Sequence, residues 1–145
     1  MRLPSALAVL FLASCSSPTD QAADELRAEL RLWEALALDS YSFEFHRVCF
    51  CGGPLEPLRV VVRADAVVSV TDAATGATPQ LPTPAWMGTI DQIFAELIRD
   101  SEHAAGVELS FDPTYHFPAR ARVDRIKNAI DDEYELALGD LRPLR

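Results

Sequence analysis

An α+β domain is what this sequence predicts: an antiparallel sheet of about six strands with two helices packed on one face, in the chain order α-βββ-α-βββ. Three observations carry that reading. Two stretches, 22–38 and 89–98, repeat apolar residues at helical spacing. Each is followed by segments in which apolar and polar residues alternate. Glycine and proline cluster mainly between these segments.

The first helix is expected over Ala22 to Leu38. Leu26, Leu30, Trp33 and Ala37 form its stripe, widened by Leu32 and Leu36, and Glu25, Arg27, Glu29, Arg31 and Glu34 lie elsewhere. From Tyr41 to Cys51 the period changes to two. Tyr41, Phe43, Phe45, Arg47, Cys49 and Cys51 share the odd face, against Ser42, Glu44 and His46, so a strand with its odd face inward is expected. Leu58, Val60 and Val62, then Ala66, Val68 and Val70, give two more strands around an Ala64-Asp65 hairpin turn, and Thr75-Gly76 closes that region. Pro79, Pro82 and Pro84 make Ala77 to Gly88 an irregular connector, because each lacks an amide donor.

The second helix has the clearest start. Thr89 and Gln92 have the spacing of a capping box, and Ile90, Ile93, Phe94, Leu97 and Ile98 follow as one apolar stripe, with Gly106 as a natural stop. Val107, Leu109 and Phe111 alternate as a fourth strand, turned by Asp112-Pro113. A fifth strand is expected over Arg120 to Ile126 and a sixth around Tyr134, Leu136 and Leu138. The repeated order suggests two similar halves, although no residue-level repeat accompanies it.

The N-terminus stands apart from this domain. Arg2 precedes an apolar run, Leu3 to Ala13, that is too short to span a bilayer, which takes about 20 residues, and that has signal-peptide anatomy. Leu12-Ala13-Ser14-Cys15 closes the run and resembles the lipobox of bacterial lipoproteins. The resemblance implies cleavage before Cys15 and lipid on its thiol, with residues 1–14 as signal peptide. Residues 15–21, which include Ser16, Ser17, Pro18, Thr19 and Asp20, then serve as lipidated cysteine and flexible tether, and 22–145 as one domain. The expected location is outside the cytoplasm, anchored to a membrane and facing the periplasm or the cell exterior.

The 145 residues carry 13 basic and 22 acidic side chains, a net charge of -9. Removing residues 1–14 takes away one arginine and no acid, which leaves a charge of about -10. Clustered Lys and Arg are what nucleic acid demands of a partner, so nucleic acid is not expected as one.

The mature stretch as a whole also resembles a family of bacterial lipoproteins built on a domain of unknown function. The resemblance rests on Trp33, Tyr41-Ser42-Phe43, Cys49-Phe50-Cys51, Thr89-Ile90-Asp91 before Ile93-Phe94, Phe111-Asp112-Pro113, Phe117-Pro118, Val123-Asp124 and Asp131-Asp132-Glu133. The family often has Gly-Tyr-Pro where His116-Phe117-Pro118 stands and an Asp-Gly turn where Asp65-Ala66 stands. It implies an envelope lipoprotein without assigned activity and supplies no catalytic residues.

Three cysteines in an exported chain divide into one lipid site, Cys15, and one pair, Cys49 and Cys51. Two residues along an extended strand separate Cα atoms by about 6.5 Å, near the upper limit for a disulfide, so a bridge here requires a kink that Gly52-Gly53 could permit. A structural bridge, two buried thiols and a strained redox pair are the readings this geometry leaves open. His46 with the two cysteines has the donor chemistry of a zinc or copper site. Its even position, however, turns the imidazole to the opposite strand face, and no fourth ligand is evident; His103 and His116 read as helix-end and loop residues.

Asp131, Asp132 and Glu133 read as a solvated turn ahead of a strand rather than as an acid–base set. No nucleophile elbow, phosphate loop or zinc-protease helix is present. No catalytic residue, metal or cofactor is therefore expected. The expected role is a non-enzymatic binding or interaction module, meeting the membrane through its lipid and an unknown protein or small molecule through its fold. The alternative is a thiol-redox or metal-handling lipoprotein centred on Cys49 and Cys51.

Overall fold

The computed structural model describes residues 18–50, 56–79, 87–129 and 131–145. Eight elements follow the expected order: α1 (Pro18–Ala35), β1 (Tyr41–Cys49), β2 (Leu58–Arg63), β3 (Ala66–Asp72), α2 (Ile90–Ser101), β4 (Gly106–Phe111), β5 (Pro118–Asp124) and β6 (Tyr134–Pro143). The six strands form one antiparallel sheet in the order β3-β2-β1-β6-β5-β4. The fold is α+β.

Helix α1 starts at Pro18 and takes in residues 18–21, expected as part of the tether. Proline is well tolerated in a first helical turn, where its missing amide has no intrahelical partner to lose. The helix ends at Ala35, short of the expected Leu38, because Ala37 adopts φ +50° while its N–H reaches Glu34 O at 3.1 Å. Ala22, Ala23, Leu26 and Trp33 face inward. Leu32 and Leu36 do not widen that stripe; both are exposed, Leu32 because one step from Trp33 turns about 100° around the helix axis and Leu36 because it lies beyond the last helical residue.

In β1 the odd residues Tyr41, Phe43, Phe45 and Arg47 are buried, as the alternation required. The β2–β3 turn sits on Ala64 and Asp65, both with positive φ (47° and 60°), the signature of a type I′ hairpin turn. Neither residue is the glycine or asparagine such a turn favours. The turn is held instead by Asp65 N–H to Asp39 O (2.9 Å) and Ala64 N–H to Ser40 Oγ (3.3 Å). Pro82 and Pro84 of the expected connector lie outside the described residues.

Helix α2 carries the expected capping box: Thr89 Oγ1 accepts from Gln92 N–H at 3.3 Å and Gln92 Oε1 accepts from Thr89 N–H at 2.9 Å. Strand β5 begins at Pro118 and stops at Asp124, two residues earlier at each end than expected, and β6 continues to Pro143. The extension of β6 is possible because a bulge at Asp140, φ +46°, shifts its register against β1 between Ser42 and Glu44. Leu141 then packs toward the core, where strict alternation from Leu138 would have turned it outward.

Both helices cover the same sheet face. Between them and the strands lies one core of Leu26, Trp33, Phe43, Phe45, Val60, Val62, Ile93, Phe94, Leu97, Ala121, Val123 and Leu136. The opposite face carries paired charges: Arg59 bridges Glu44 (2.6 Å) and Asp140 (2.5 Å), and Arg120 faces Glu135 (3.4 Å). The Arg59 hydrogen bond, followed by that of Arg142, holds the Asp140 carboxyl below its ordinary range.

Candidate functional site

Two regions concentrate polar chemistry, one at each end of the helix layer. The first lies where β1 ends. Arg47 points inward from β1 because of strand parity, and its guanidinium pairs with Glu96 of α2 at 2.9 Å, with side-chain exposures of 4% and 12%. The same guanidinium lies 4.0 Å from the centroid of the Tyr134 ring. Tyr134 donates its hydroxyl to Asp100 (2.9 Å), which also holds Arg125 (2.8 Å). Burial first, then the Asp100 charge, drives the Tyr134 hydroxyl far above the usual phenol range, so it stays a neutral donor. The arrangement is self-neutralising: each charge has an opposite charge within reach, which suits packing a helix C-terminus onto a sheet.

Cys49 stands next to this cluster, opposite Tyr134 in the β1–β6 register, packed against the core and disulfide-bonded. Cys15 and Cys51 lie outside the described residues. His46 faces the other side of the sheet, opposite Ala137, so β1 separates its imidazole from Cys49. His103 is exposed beyond α2, and His116 meets Glu29 at 2.9 Å. Among the described residues, no three His, Cys, Asp or Glu side chains are grouped closely enough to hold a metal ion. In the acidic triplet, Asp131 and Glu133 are exposed. Asp132 instead has both carboxylate oxygens shielded from solvent, with no hydrogen-bond partner among the described residues.

The second region went unseen in the sequence. A cavity of about 300 Å³ opens where the end of α1, the start of β1, the β2–β3 turn and the first turn of α2 converge. It is lined by Trp33, Glu34, Ala37, Leu38, Asp39, Asp65 and Asp91. Trp33 Nε1 donates to Asp91 Oδ1 at 3.2 Å, and Asp91 sits in the first turn of α2, where the helix dipole favours a carboxylate. Beneath it the Tyr41 hydroxyl accepts from Ile90 N–H at 3.1 Å; burial pushes its pKa up to about 12, with Asp91 and Asp65 adding to the rise. A lining with four carboxylates disfavours anionic ligands. No spacing signal could have revealed it, because its residues come from four separate elements.

The sequence profile described as "Family of unknown function (DUF6174)" matches residues 25–143, most of the chain. The chain belongs to that family. The match spans everything from the second turn of α1 to the end of β6 and leaves residues 1–24 outside it. No curated protein and no solved structure matches the chain. Among the described residues, no helix is long and apolar enough to cross a membrane.

Proposed function

We propose that this member of the family is an envelope lipoprotein, held at a membrane by lipid on Cys15 and facing the periplasm or cell exterior, whose domain is a non-enzymatic binding module. The observation that carries the anchor is the apolar run ending in Leu12-Ala13-Ser14-Cys15, placed immediately ahead of a folded domain. A disulfide at Cys49 is in keeping with an oxidising compartment. The binding role is supported by the distribution of polar groups. Arg47 with Glu96, and Asp100 with Arg125 and Tyr134, neutralise one another in helix-to-sheet contacts, and a cavity at the low end of small-ligand size sits at the opposite end.

Two variants separate the assigned roles. Cys15→Ala is expected to release the protein from the membrane fraction with its urea midpoint unchanged. The pair Cys49→Ser and Cys51→Ser should lower the midpoint with attachment intact. Fractionation together with mass spectrometry of the mature N-terminus reads both, and an unprocessed, lipid-free chain would defeat the proposal.

The disulfide at Cys49 also favours a second reading, thiol-redox work in the same envelope setting. Counting thiols on the purified full chain over a graded series of redox buffers distinguishes the two. A bridge reduced only at strongly reducing potential is structural, whereas one that exchanges near the compartment's own poise is catalytic or regulatory.

A further inference from the structure

We infer that the end of the domain carrying Val48, Phe50 and Ile126 rests on the lipid bilayer, so that the protein stands on its membrane in one orientation. This builds on the lipid anchor proposed above.

Topology fixes which end that is. Arg27 of α1 pairs with Glu102 just past α2, and Trp33 with Asp91 at the start of α2, so the helices are antiparallel and α1 begins where α2 ends. The α2 end is tied to the sheet by Asp100, bound to both Arg125 and Tyr134. The register Cys49↔Tyr134 and Val123↔Tyr134 brings the end of β1, the start of β6 and the end of β5 to that same pole. The start of α1 therefore shares a pole with the loops after β1 and β5. Three Cα-to-Cα steps lead from Cys15 to Pro18, a reach of at most about 11 Å. An anchored Cys15 holds this pole, and no other, close to the bilayer.

The pole has the surface such a position calls for. Phe50 is 84% exposed, Ile126 62% and Val48 59%, half of the large apolar side chains exposed among the described residues. Lys127, the only lysine of the chain, follows Ile126, and its long apolar stem lets the ammonium stay at headgroup level. Arg125 is engaged by Asp100, while Asp131 and Glu133 are exposed in the same loop. Attraction to anionic headgroups is thus offset, and apolar insertion into the interface is what remains. Three side chains would hold a free domain on a bilayer only weakly. With the anchor supplying attachment, they have only to select one orientation at high effective concentration.

The test uses the full lipidated chain in phosphatidylcholine vesicles carrying brominated acyl chains. Phe50→Trp places a reporter at the inferred contact, and Val68→Trp places one near the β2–β3 turn at the opposite pole. Both positions are exposed enough to accept an indole. Relative to the unsubstituted chain in the same vesicles, the added emission of Phe50→Trp should be largely lost and that of Val68→Trp retained. Chains that float with the vesicles while both reporters keep their emission, or lose it equally, would overturn the orientation and leave the anchor standing. A chain that fails to float at all would overturn both.

Discussion

At the scale of single residues, the same loop appears twice with different occupants of its hardest position. In Asp72-Ala73-Ala74-Thr75-Gly76, Asp72 Oδ1 accepts from the N–H groups of Ala74 (3.0 Å) and Thr75 (2.7 Å), and Gly76 N–H returns to Asp72 O at 2.9 Å. In Asp112-Pro113-Thr114-Tyr115-His116, Asp112 Oδ1 accepts from Thr114 (2.8 Å) and Tyr115 (2.7 Å), and His116 N–H returns to Asp112 O at 2.9 Å. The fifth residue is left-handed in both, Gly76 at φ +71° and His116 at +63°. Glycine adopts that region freely, whereas a residue with a Cβ loses about 1–2 kcal/mol there. A glycine at position 116 would therefore be the unstrained choice, and this chain offsets part of the strain through the contact between His116 and Glu29. That contact is partly exposed and is worth less than about 1 kcal/mol. His116→Gly is expected to leave stability unchanged or raise it slightly, and His116→Ala, which keeps the strain and loses the contact, to lower it by a few tenths of a kcal/mol, at most about 1 kcal/mol. Urea midpoints at constant slope measure both; an alanine variant as stable as the glycine one would contradict the account.

Between elements, two contacts fix α2 on the sheet, and they respond differently to change. The Arg47–Glu96 pair is nearly dry, so removing Glu96 takes the carboxylate away from a buried guanidinium: Glu96→Ala should cost up to about 3–5 kcal/mol. Replacing both, Arg47→Met with Glu96→Leu, should recover most of that loss, because the desolvation penalty disappears with the charges. A double-mutant cycle in urea checks it. At the other end, Tyr41→Phe removes the acceptor for Ile90 N–H and should cost about 1–2 kcal/mol at neutral pH. The sign of the pH effect follows from the raised Tyr41 pKa. The neutral phenol is the form the fold favours, so its contribution is complete below pH 10 and is lost as pH rises from 10 to about 12. Stability measured across that window should fall less steeply in Tyr41→Phe than in the unsubstituted chain, the remaining slope coming from Tyr134, which burial and Asp100 raise further.

For the whole molecule, the decisive pairing is β1 with β6, the first strand with the last, at the centre of the sheet. It makes the two meanders one structure: β1-β2-β3 has no second neighbour for β1 without β6, and β5-β4 reaches the rest of the sheet through β6 alone. Deleting residues 134–145 should therefore abolish the cooperative urea transition and near-ultraviolet dichroism of the entire domain, not of one half. A truncated chain that retains a sharp transition would show the halves to be independent. The same pairing leaves the two halves of the order α-βββ-α-βββ without a simple two-fold or translational symmetry. A two-fold axis would join equivalent strands, as 3-2-1-4-5-6 does; here β1 meets β6. A simple translation would run β1 and β4 in the same direction, but the chain of antiparallel pairs makes them opposite.

The sequence by itself determined the element order, the inward face of β1, the capping box that starts α2 and the α+β class. These are local matters, set by periodicity and by which residues can satisfy orphan amides or adopt a given φ. The arginine among the odd residues of β1 was visible too, though its partner Glu96 was not. Only the tertiary structure decided that β1 closes against β6, that a bulge at Asp140 turns Leu141 inward, that Leu32 and Leu36 stay in solvent, and that Trp33, Asp39, Asp65 and Asp91 converge on one cavity. Each of these depends on contacts between residues far apart in the chain. Their energy comes from burying a shared surface, and no window of neighbouring residues contains it.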